Sequence, residues 1–501
     1  PRSSAFSDGG MNASGCACLP AGRELARNTA PALFIQEAGT VQQFGLRSMM
    51  DIFHESLDFS GRGFEVFSAF REKPYVFLLE SSLASAPLGR FSFIGYDPYD
   101  VFSASGPRAF ENLRRRFLKA GKTAPCRLTP FPAGMMGFLS YDLGLHFEGI
   151  KRRTPDDIGT PECLAGFYDT VITVDHVLKK LHITSTGLPE KSRALRRQRA
   201  LARIRAARQR LSEGVAARFD AGRAPAGSFR SNFTKDGYRR AVRAALEHIR
   251  RGDIYQVNLS QRFCFEAGRG SGIGPVRLYE SLRRLSPSSF GGYFDAGGFQ
   301  IVSSSPERFL CLRGRNVETR PMKGTRPRGA TSTQDRENRR ELVQSPKDKA
   351  ELLMITDLER NDLGRVCEYG SVRVRRMRTL EKYRTVYQAT STIEGALRRD
   401  RDAFDLLKAC FPGGSITGCP KIRSMEVIEE LEPSRRSLYT GSLGYISLSG
   451  NLDFNILIRT MLVKGRKVYF HAGGGIVADS DPDAEYEETL VKAKAMRECL
   501  Q

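Results

Sequence analysis

The chain has 501 residues, 40% of them hydrophobic and 27% charged, a composition that excludes a wholly disordered or fibrous protein. Its 78 Lys and Arg residues outnumber its 56 Asp and Glu residues, and the formal net charge is +22. No run of 18 apolar residues occurs, so the sequence predicts no membrane-spanning helix. The charge is compatible with a nucleic-acid-binding protein, although no motif for nucleic-acid recognition accompanies it.

The ten cysteines are dispersed along the chain and include no CxxC pair. That spacing argues against a disulfide scaffold and against a structural zinc site. We therefore expect reduced thiols and a cytoplasmic location. Residues 1–40 are rich in Gly, Ala, Ser and Arg and are predicted to form a disordered tail.

Residues 41–186 form a first predicted region, in which short apolar runs alternate with Gly, Pro and Asp. The runs Tyr75–Leu79, Phe91–Ile94 and Thr170–Val174 are rich in aromatic and β-branched residues, which is typical of strands. This region is therefore predicted to be rich in β structure.

Residues 187–230 form a basic connector that carries eleven Arg and one Lys against three acidic residues. Leu201, Ile204, Ala207 and Leu211 follow helical spacing and predict a narrow apolar stripe on a basic helix. Its charge is interpreted as a solvated face, with an acidic partner surface as the alternative. Residues 231–501 follow as a second region of alternating helices and strands.

Three segments carry carboxylates in informative positions. Glu351 lies in a helical pattern, and Glu485 and Glu488 are three residues apart on one predicted helix face. Carboxylates on two helices can hold Mg²⁺ beside an anionic substrate, although solvated acidic faces would show the same pattern. Glu307 directly follows the strand-like run Phe299–Ser303 and is a candidate proton donor, or else a surface turn residue.

Basic and glycine-rich elements complement these carboxylates. Lys323 lies among three arginines in the predicted loop Arg320–Arg328, where neighbouring cations favour the neutral, nucleophilic amine, or where the charge binds an anion. Gly473–Gly475 follow a predicted strand and offer backbone N–H groups to a carboxylate. Arg459 can bind a carboxylate with two hydrogen bonds. Together these elements suggest a small polyanionic substrate bound with a metal.

Read together, these segments resemble the chorismate-utilising enzymes, in the order in which that family presents them. The matching blocks are Gly252–Phe263, Ser303–Phe309, Arg320–Arg328, Ala350–Val366, Phe411–Glu432, Tyr439–Tyr445, Asp453–Thr460 and Ala472–Lys494. The resemblance implies an α+β fold in which two large antiparallel-rich sheets pack as a sandwich, with helices outside and chorismate at the centre. Residues 231–501 would then form the chorismate-binding catalytic region.

The branch of the family is indicated by two positions. Lys323 occupies the PxKGT position that is typical of aminodeoxychorismate synthases, where anthranilate synthases typically have Ala. Gln256 stands where isochorismate synthases typically carry a water-activating Lys. The resemblance therefore implies amination of chorismate at C4, in p-aminobenzoate and folate synthesis, with anthranilate formation as the alternative.

The resemblance also implies roles for individual residues. Lys323 would attack C2 of chorismate, and Glu307 would protonate the departing C4 hydroxyl group. Glu351 and Glu488 resemble the Mg²⁺ ligands, with Glu485 as an additional or indirect ligand. Residues that match substrate-binding positions are Gly324, Thr325, Tyr439, Arg459, Gly473, Gly474, Gly475 and Lys421.

Two further expectations concern ligands outside the catalytic centre. Glu80 and Ser81 resemble the motif of a pocket that holds tryptophan in some relatives. No glutaminase nucleophile segment is evident in the sequence, so we expect a separate glutamine amidotransferase subunit to supply ammonia.

Overall fold

The computed structural model describes residues 42–44, 49–83, 88–214, 226–269, 272–383 and 386–501. The predicted tail and most of the segment after the basic helix lie outside these residues. The helices are α1 (Gly63–Phe70), α2 (Ala109–Leu118), α3 (Tyr141–Phe147), α4 (Arg193–Ser212), α5 (Lys235–Arg250), α6 (Pro275–Leu285), α7 (Ser332–Gln344), α8 (Pro346–Gly364), α9 (Ala403–Cys410), α10 (Lys421–Leu431) and α11 (Pro482–Glu498).

The strands are β1 (Gln42–Phe44), β2 (Ile52–Asp58), β3 (Phe77–Glu80), β4 (Phe91–Gly95), β5 (Asp100–Ala104), β6 (Gly134–Leu139), β7 (Cys163–Tyr168), β8 (Thr170–Asp175), β9 (Lys180–Ser185), β10 (Gly227–Ser231), β11 (Gln256–Ala267), β12 (Phe290–Asp295), β13 (Gln300–Ser305), β14 (Arg308–Arg313), β15 (Asn316–Thr319), β16 (Met322–Pro327), β17 (Arg373–Lys382), β18 (Val386–Ala396), β19 (Gly418–Cys419), β20 (Ser442–Ser447), β21 (Leu452–Asn455), β22 (Thr460–Lys464) and β23 (Lys467–Ile476).

Within the described residues these strands form two large sheets. The first has thirteen strands in the order β1-β2-β9-β8-β4-β3-β12-β13-β22-β23-β11-β10, with β19 paired to β11. The second has ten in the order β16-β18-β15-β14-β21-β20-β6-β7-β5, with β17 paired to β18. Antiparallel pairing prevails, as at β11–β23 and β6–β7, so the predicted α+β class is confirmed.

Aromatic side chains from both sheets pack into one core between them. Phe77 of β3 lies edge-on to Tyr168 of β7, with ring centroids 4.8 Å apart. Tyr445 of β20 stacks on Phe131 at 4.2 Å. Because β3 belongs to the first sheet and β7 to the second, the contact of Phe77 with Tyr168 lies between the facing sides of the two sheets.

Helix α4 packs on the outside of the first sheet, against β9, β2 and β8. Ala200, Ile204, Ala207 and Leu211 are fully buried along one face, so the predicted stripe is confirmed apart from Leu201, which is only half-buried. The Ser192 hydroxyl accepts the Leu195 N–H at 3.2 Å and caps the helix N-terminus.

The interpretation of the α4 charge as a solvated face is corrected by its ion pairs. Arg199 and Arg203 lie 3.3 and 3.7 Å from the fully buried carboxylate of Asp169. Arg208 pairs with buried Glu55 at 3.1 Å. Part of the basic charge therefore neutralises acidic groups of the first region, and the acidic surface left open as an alternative lies within the same chain.

Among the described residues, no helix is both long enough and apolar enough to cross a membrane. The cysteines of this part of the chain are unpaired thiols, as predicted; Cys16 and Cys18 lie outside it.

Candidate active site

Lys323 lies at an irregularity in β16 rather than in a loop, so the predicted loop is wrong. The pairing of β16 with β18 shifts register between Met322 and Thr325. Gly324 takes φ of 82°, and a Cβ there would come within 2.8 Å of Leu342. A bulge of this kind re-aims the side chains beside it. Thr325 rejoins the ladder opposite Gln388 and is exposed, not directed to a buried ligand.

The Lys323 amine is held against β23 and β11. A Cβ placed on Gly475 would lie 3.4 Å from Lys323 Nζ and 2.5 Å from Gln256 Nε2. Gln256 is fully buried, and neither polar atom of its amide has a hydrogen-bond partner among the described residues. Burial lowers the pKa of Lys323, with the charge of Glu351 acting in the opposite direction. The neutral form of this amine is therefore more accessible than that of an exposed lysine, and it lies beside an amide group without a protein partner among the described residues.

Glu307 lies between β13 and β14 and is only 4% exposed, so it is not a surface turn residue. Its Oε1 has no hydrogen-bond partner in the described part of the chain. Burial raises the pKa of Glu307 to about 7, against the opposing effects of Ser415 and Lys323. The carboxyl group can therefore carry a proton near neutral pH, as a general acid must.

The predicted metal-binding carboxylates come from α8 and α11. A Cβ on Gly474 would lie 2.9 Å from Glu485 Oε2 and 3.2 Å from Glu488 Oε1, so both face β23. Burial raises the pKa values of Glu485 and Glu351. Burial also acts to raise the pKa of Glu488, but its ion pair with Lys492 at 2.5 Å outweighs this and the pKa is lowered.

These carboxylates can bind a magnesium ion only through oxygen atoms that are not already hydrogen-bonded within the protein. No group of three His, Cys, Asp or Glu side chains in the described residues is arranged to hold a metal by itself. However, Oε2 of Glu485 is buried without a hydrogen-bond partner among those residues. The negative charge of Glu488 acts to raise the pKa values of both Glu351 and Glu485, so the three carboxylates lie close enough to interact. Mg²⁺ commonly takes one or two carboxylates and completes its shell with water and substrate. The donor set fits that mode of binding.

Arg459 and Tyr439 are the residues predicted to bind the anionic groups of the substrate. Arg459 follows β21 with φ of 50°, and no ion pair to its guanidinium is found among the described residues. Burial alone lowers the pKa of Arg459. Tyr439 is 9% exposed, and burial raises its pKa to about 12. A desolvated cation without an acidic neighbour favours an anionic ligand.

Lys421, a predicted substrate-binding residue, lies in a buried ion pair. Its ammonium group donates to Asp362 Oδ2 at 2.5 Å and to the Cys410 carbonyl at 3.0 Å, all of them buried. The pairing joins α10 to α8 and to the end of α9. The charge of Lys421 is thus already paired, and its predicted role in substrate binding stays a prediction.

Glu80 and Ser81 line a separate cavity of about 940 Å³, together with Phe91, Phe290, Arg308 and Tyr445. The Glu80 carboxylate is already engaged by Arg283 at 2.7 Å and by the Tyr279 hydroxyl at 2.9 Å. The cavity predicted from the motif is therefore present, but its acidic group is not free.

The sequence interpretation missed three polar groups around the site: Ser415, Glu359 and His471. Ser415 acts on the pKa of Glu307 from the short helical turn Gly414–Ile416. Glu359 is buried on α8, where the Thr319 hydroxyl donates to it at 2.8 Å. His471 stacks on Tyr439. Only His471 had a signal in the sequence, since it lies two residues before Gly473 on a predicted strand.

Comparison with known proteins agrees with this arrangement. Residues 77–498 match the family model described as chorismate binding enzyme. Aminodeoxychorismate synthase component 1 of Bacillus subtilis is 37% identical over 444 residues, covering 84% of this chain and 91% of that protein. Anthranilate synthase component 1 of Thermus thermophilus is 38% identical over 443 residues, covering 85% and 92%.

A solved structure of this family has the same fold. Anthranilate synthase component I of Streptococcus pneumoniae superimposes with a TM-score of 0.73 and 32% identity, covering 83% of this chain and 93% of that one. The fold and the site thus define a chorismate-utilising enzyme. The chain belongs to the chorismate-binding enzyme family, and chorismate is its substrate class.

Proposed function

We propose that the protein is an aminodeoxychorismate synthase component I, which converts chorismate and ammonia to 4-amino-4-deoxychorismate for p-aminobenzoate and folate synthesis. The observation that carries the proposal is the position of Lys323, whose amine lies beside Gly475 and Gln256 in surroundings that lower its pKa. A lysine so placed is available as a nucleophile.

The reaction proceeds in two substitutions on the chorismate ring. The neutral Lys323 amine forms a bond to C2, the two conjugated ring double bonds shift towards C4, and the C4–O bond breaks so that the hydroxyl group leaves as water with the proton of Glu307. Ammonia then forms a bond to C4, the double bonds shift back, and the amine of Lys323 leaves from C2. The enolpyruvyl group is retained, and the net change replaces the C4 hydroxyl group by an amino group.

Arg459, Tyr439 and the backbone N–H groups of Gly473–Gly475 bind the carboxylates of chorismate in this proposal. The support is the half-buried guanidinium of Arg459, which has no ion pair among the described residues, and the proximity of Gly475 to Lys323. Glu351 and Glu488, with Glu485 nearby, would hold Mg²⁺. The ion, when bound, neutralises the ring carboxylate and lowers the energy of the developing charge.

Product identification tests the proposal. Incubation with chorismate, Mg²⁺ and an ammonium salt should give 4-amino-4-deoxychorismate without release of pyruvate, as resolved by chromatography and mass spectrometry. The Lys323→Ala variant should lose most of this product, whereas Lys180→Ala, at a surface ion pair with Asp58, should retain it. Fluorescent anthranilate together with pyruvate would refute the proposal.

Anthranilate synthase component I is the second candidate, because relatives of that name match with the same identity and coverage. Lys323 argues against it, since an amine already bonded to C2 excludes ammonia from that carbon. The Lys323→Ala variant separates the two functions. If it gains anthranilate formation, Lys323 is the residue that decides whether ammonia adds to C2 or to C4 of chorismate.

A glutamine amidotransferase partner in the cytoplasm completes the proposal. We expect the isolated chain to use ammonium salts but not glutamine. Addition of a glutaminase subunit of the family should restore glutamine-dependent activity. Glutamine consumption by the isolated chain would contradict this part of the proposal.

The cavity at Glu80 and Ser81 is proposed as an effector pocket that does not respond to tryptophan. The carboxylate of Glu80 is paired with Arg283, and a ligand ammonium group would have to displace that guanidinium. Titration calorimetry with L-tryptophan should show no binding. Binding at micromolar concentration would contradict this expectation.

A further inference from the structure

His471 is a buried side chain beside the candidate site to which the proposed reaction gives no role. It lies on β23 at 6% exposure, opposite Arg262 of β11 and two residues before Gly473. Its imidazole stacks on the ring of Tyr439 with centroids 4.8 Å apart and an angle of 9° between the planes. The contact joins a strand of the first sheet to the loop that carries Tyr439.

The Tyr439 ring has polar neighbours besides His471. The guanidinium of Arg436 lies 5.6 Å from the ring centroid, and the pKa of the phenol responds to hydrogen bonds with Asn258 and Ser260 on β11. Ser437 and Thr440, on either side of Tyr439, have φ values of 53° and 60°. Backbone in this region is disfavoured for residues other than glycine, so neighbouring contacts must hold the loop in place.

Arg436 fixes the base of this loop and has several partners of its own. It forms two hydrogen bonds with Glu432, at 2.7 and 3.0 Å, and donates to the carbonyl groups of Ile416 and Asn258 at 3.0 and 2.6 Å. These contacts hold the start of the loop, but they do not include the flat face of the Tyr439 ring that His471 covers.

Among the described residues, His471 has the only aromatic ring that stacks flat on Tyr439. Burial and the charges of Arg262 and Arg436 lower the pKa of His471 well below its usual value, so the imidazole is neutral. A neutral ring stacks on the phenol without bringing another cation next to Arg436. Nε2 has no hydrogen-bond partner in the described part of the chain, and the other nitrogen hydrogen-bonds to the backbone of Arg435.

We infer that His471 is a positioning residue for substrate binding: its ring fixes the orientation in which Tyr439 meets chorismate. The inference rests on the proposed function, in which Tyr439 lies at the substrate. It concerns affinity for chorismate rather than the chemical steps, because His471 is not placed at Lys323 or Glu307.

Two substitutions separate the stacking of His471 from its hydrogen bond. His471→Phe keeps a flat ring and loses the bond to Arg435, whereas His471→Asn keeps an N–H donor and loses the ring. Chorismate affinity is measured by calorimetry with Mg²⁺ and without ammonia, and KM and kcat are measured with ammonium salts. His471→Asn should raise Kd and KM about five- to tenfold with kcat within about twofold, the size expected for one aromatic pair. His471→Phe should stay within about twofold of the wild type.

Control variants test whether the effect comes from misfolding or from the loss of any buried histidine. His182→Asn alters a buried imidazole of β9 that bonds to Ser56 at 2.8 Å, away from the site, and should lower Tm while leaving KM unchanged. If His471→Asn fails to fold, His471→Leu, which fills the space without a flat ring, takes its place. In a Tyr439→Ala background, the loss of the His471 ring should have little further effect on Kd.

The outcomes distinguish this inference from the function on which it rests. Wild-type protein that binds no chorismate would refute both. Normal binding by the wild type and an unchanged Kd in His471→Asn would overturn the inference alone. A larger loss in His471→Phe than in His471→Asn would also overturn it, because the hydrogen bond to Arg435 would then matter more than the stacking.

Discussion

The side chains of Lys323 and Gln256 both approach the Cα carbon of Gly475. A Cβ at that glycine would lie 2.5 Å from the Gln256 amide nitrogen and 3.4 Å from the Lys323 amine. In the proposed reaction, the strand whose backbone binds the substrate therefore also lies against the nucleophile. A side chain at position 475 would occupy the space next to the Lys323 amine.

Gly475→Ala is accordingly expected to lower kcat by about tenfold or more, because displacement of a nucleophile by a fraction of an ångström disrupts its alignment. Steady-state kinetics with chorismate and ammonium salts measure the loss. Gly364→Ala is the matched control, since a Cβ at Gly364 meets nothing within 4 Å, and its kcat should equal that of the wild type. Equal activity in both variants would show that Lys323 does not act next to Gly475.

Buried Glu359 gives a pH dependence of stability that can be isolated by substitution. Burial and the charge of Glu307 raise the pKa of Glu359 from 4.5 to about 8. The folded state therefore favours the protonated form. That contribution to stability is complete below a pH of about 4.5 and is lost as the pH rises to about 8.

Glu359→Gln stays uncharged at every pH and escapes this loss. Relative to the wild type it should gain on the order of 3 kcal/mol in free energy of unfolding between about pH 5 and about pH 8. Urea denaturation at both pH values measures the difference. Glu72→Gln, at an exposed carboxylate, should show no such change. If the difference in free energy of unfolding between Glu359→Gln and the wild type were the same at both pH values, the pKa of Glu359 would not be raised in the folded protein.

Lys421 and Asp362 are predicted to stabilise the fold rather than to bind chorismate. Removal of one partner from a buried ion pair leaves the other charge uncompensated, so Lys421→Met should cost about 3–5 kcal/mol. The double variant Lys421→Met/Asp362→Leu should recover much of that loss, as measured by urea denaturation. Its KM for chorismate should remain close to that of the wild type. A KM raised tenfold in the stable double variant would restore the substrate role that the sequence suggested.

Much of this site could be predicted from sequence because its residues lie in regular elements. Helical spacing placed Glu485 and Glu488 on one face, and both face Gly474 in the structure. The position of Glu307 after a strand was also correct. Local periodicity carries such information, since it fixes which side chains share a surface.

Long-range pairing and local irregularity could not be predicted in this way. The bulge at Gly324 changes the direction of Lys323 without any change in hydrophobic pattern. Lys421 finds Asp362 from a position 59 residues away in sequence. These features depend on which elements become neighbours, and spacing within one segment does not specify that.

The ion pairs of α4 give the last prediction, which concerns the net charge of +22. Arg203 lies 3.7 Å from the buried carboxylate of Asp169, donates to the Tyr96 carbonyl at 3.1 Å and covers the Tyr96 ring at 5.0 Å. Its removal leaves Asp169 with fewer compensating contacts in a buried position. Arg203→Ala should therefore lower the free energy of unfolding by about 2–3 kcal/mol.

Arg205 on the exposed face of the same helix is the matched control, and Arg205→Ala should change stability by less than about 0.5 kcal/mol. Urea denaturation compares the two variants. If α4 instead served as a polyanion-binding surface, both substitutions would weaken salt-dependent binding to duplex DNA, and the wild type would bind it tightly. Equal stability of the two variants would show that the charge of Arg203 is effectively solvated, because Arg203 contacts a buried acid and Arg205 is exposed.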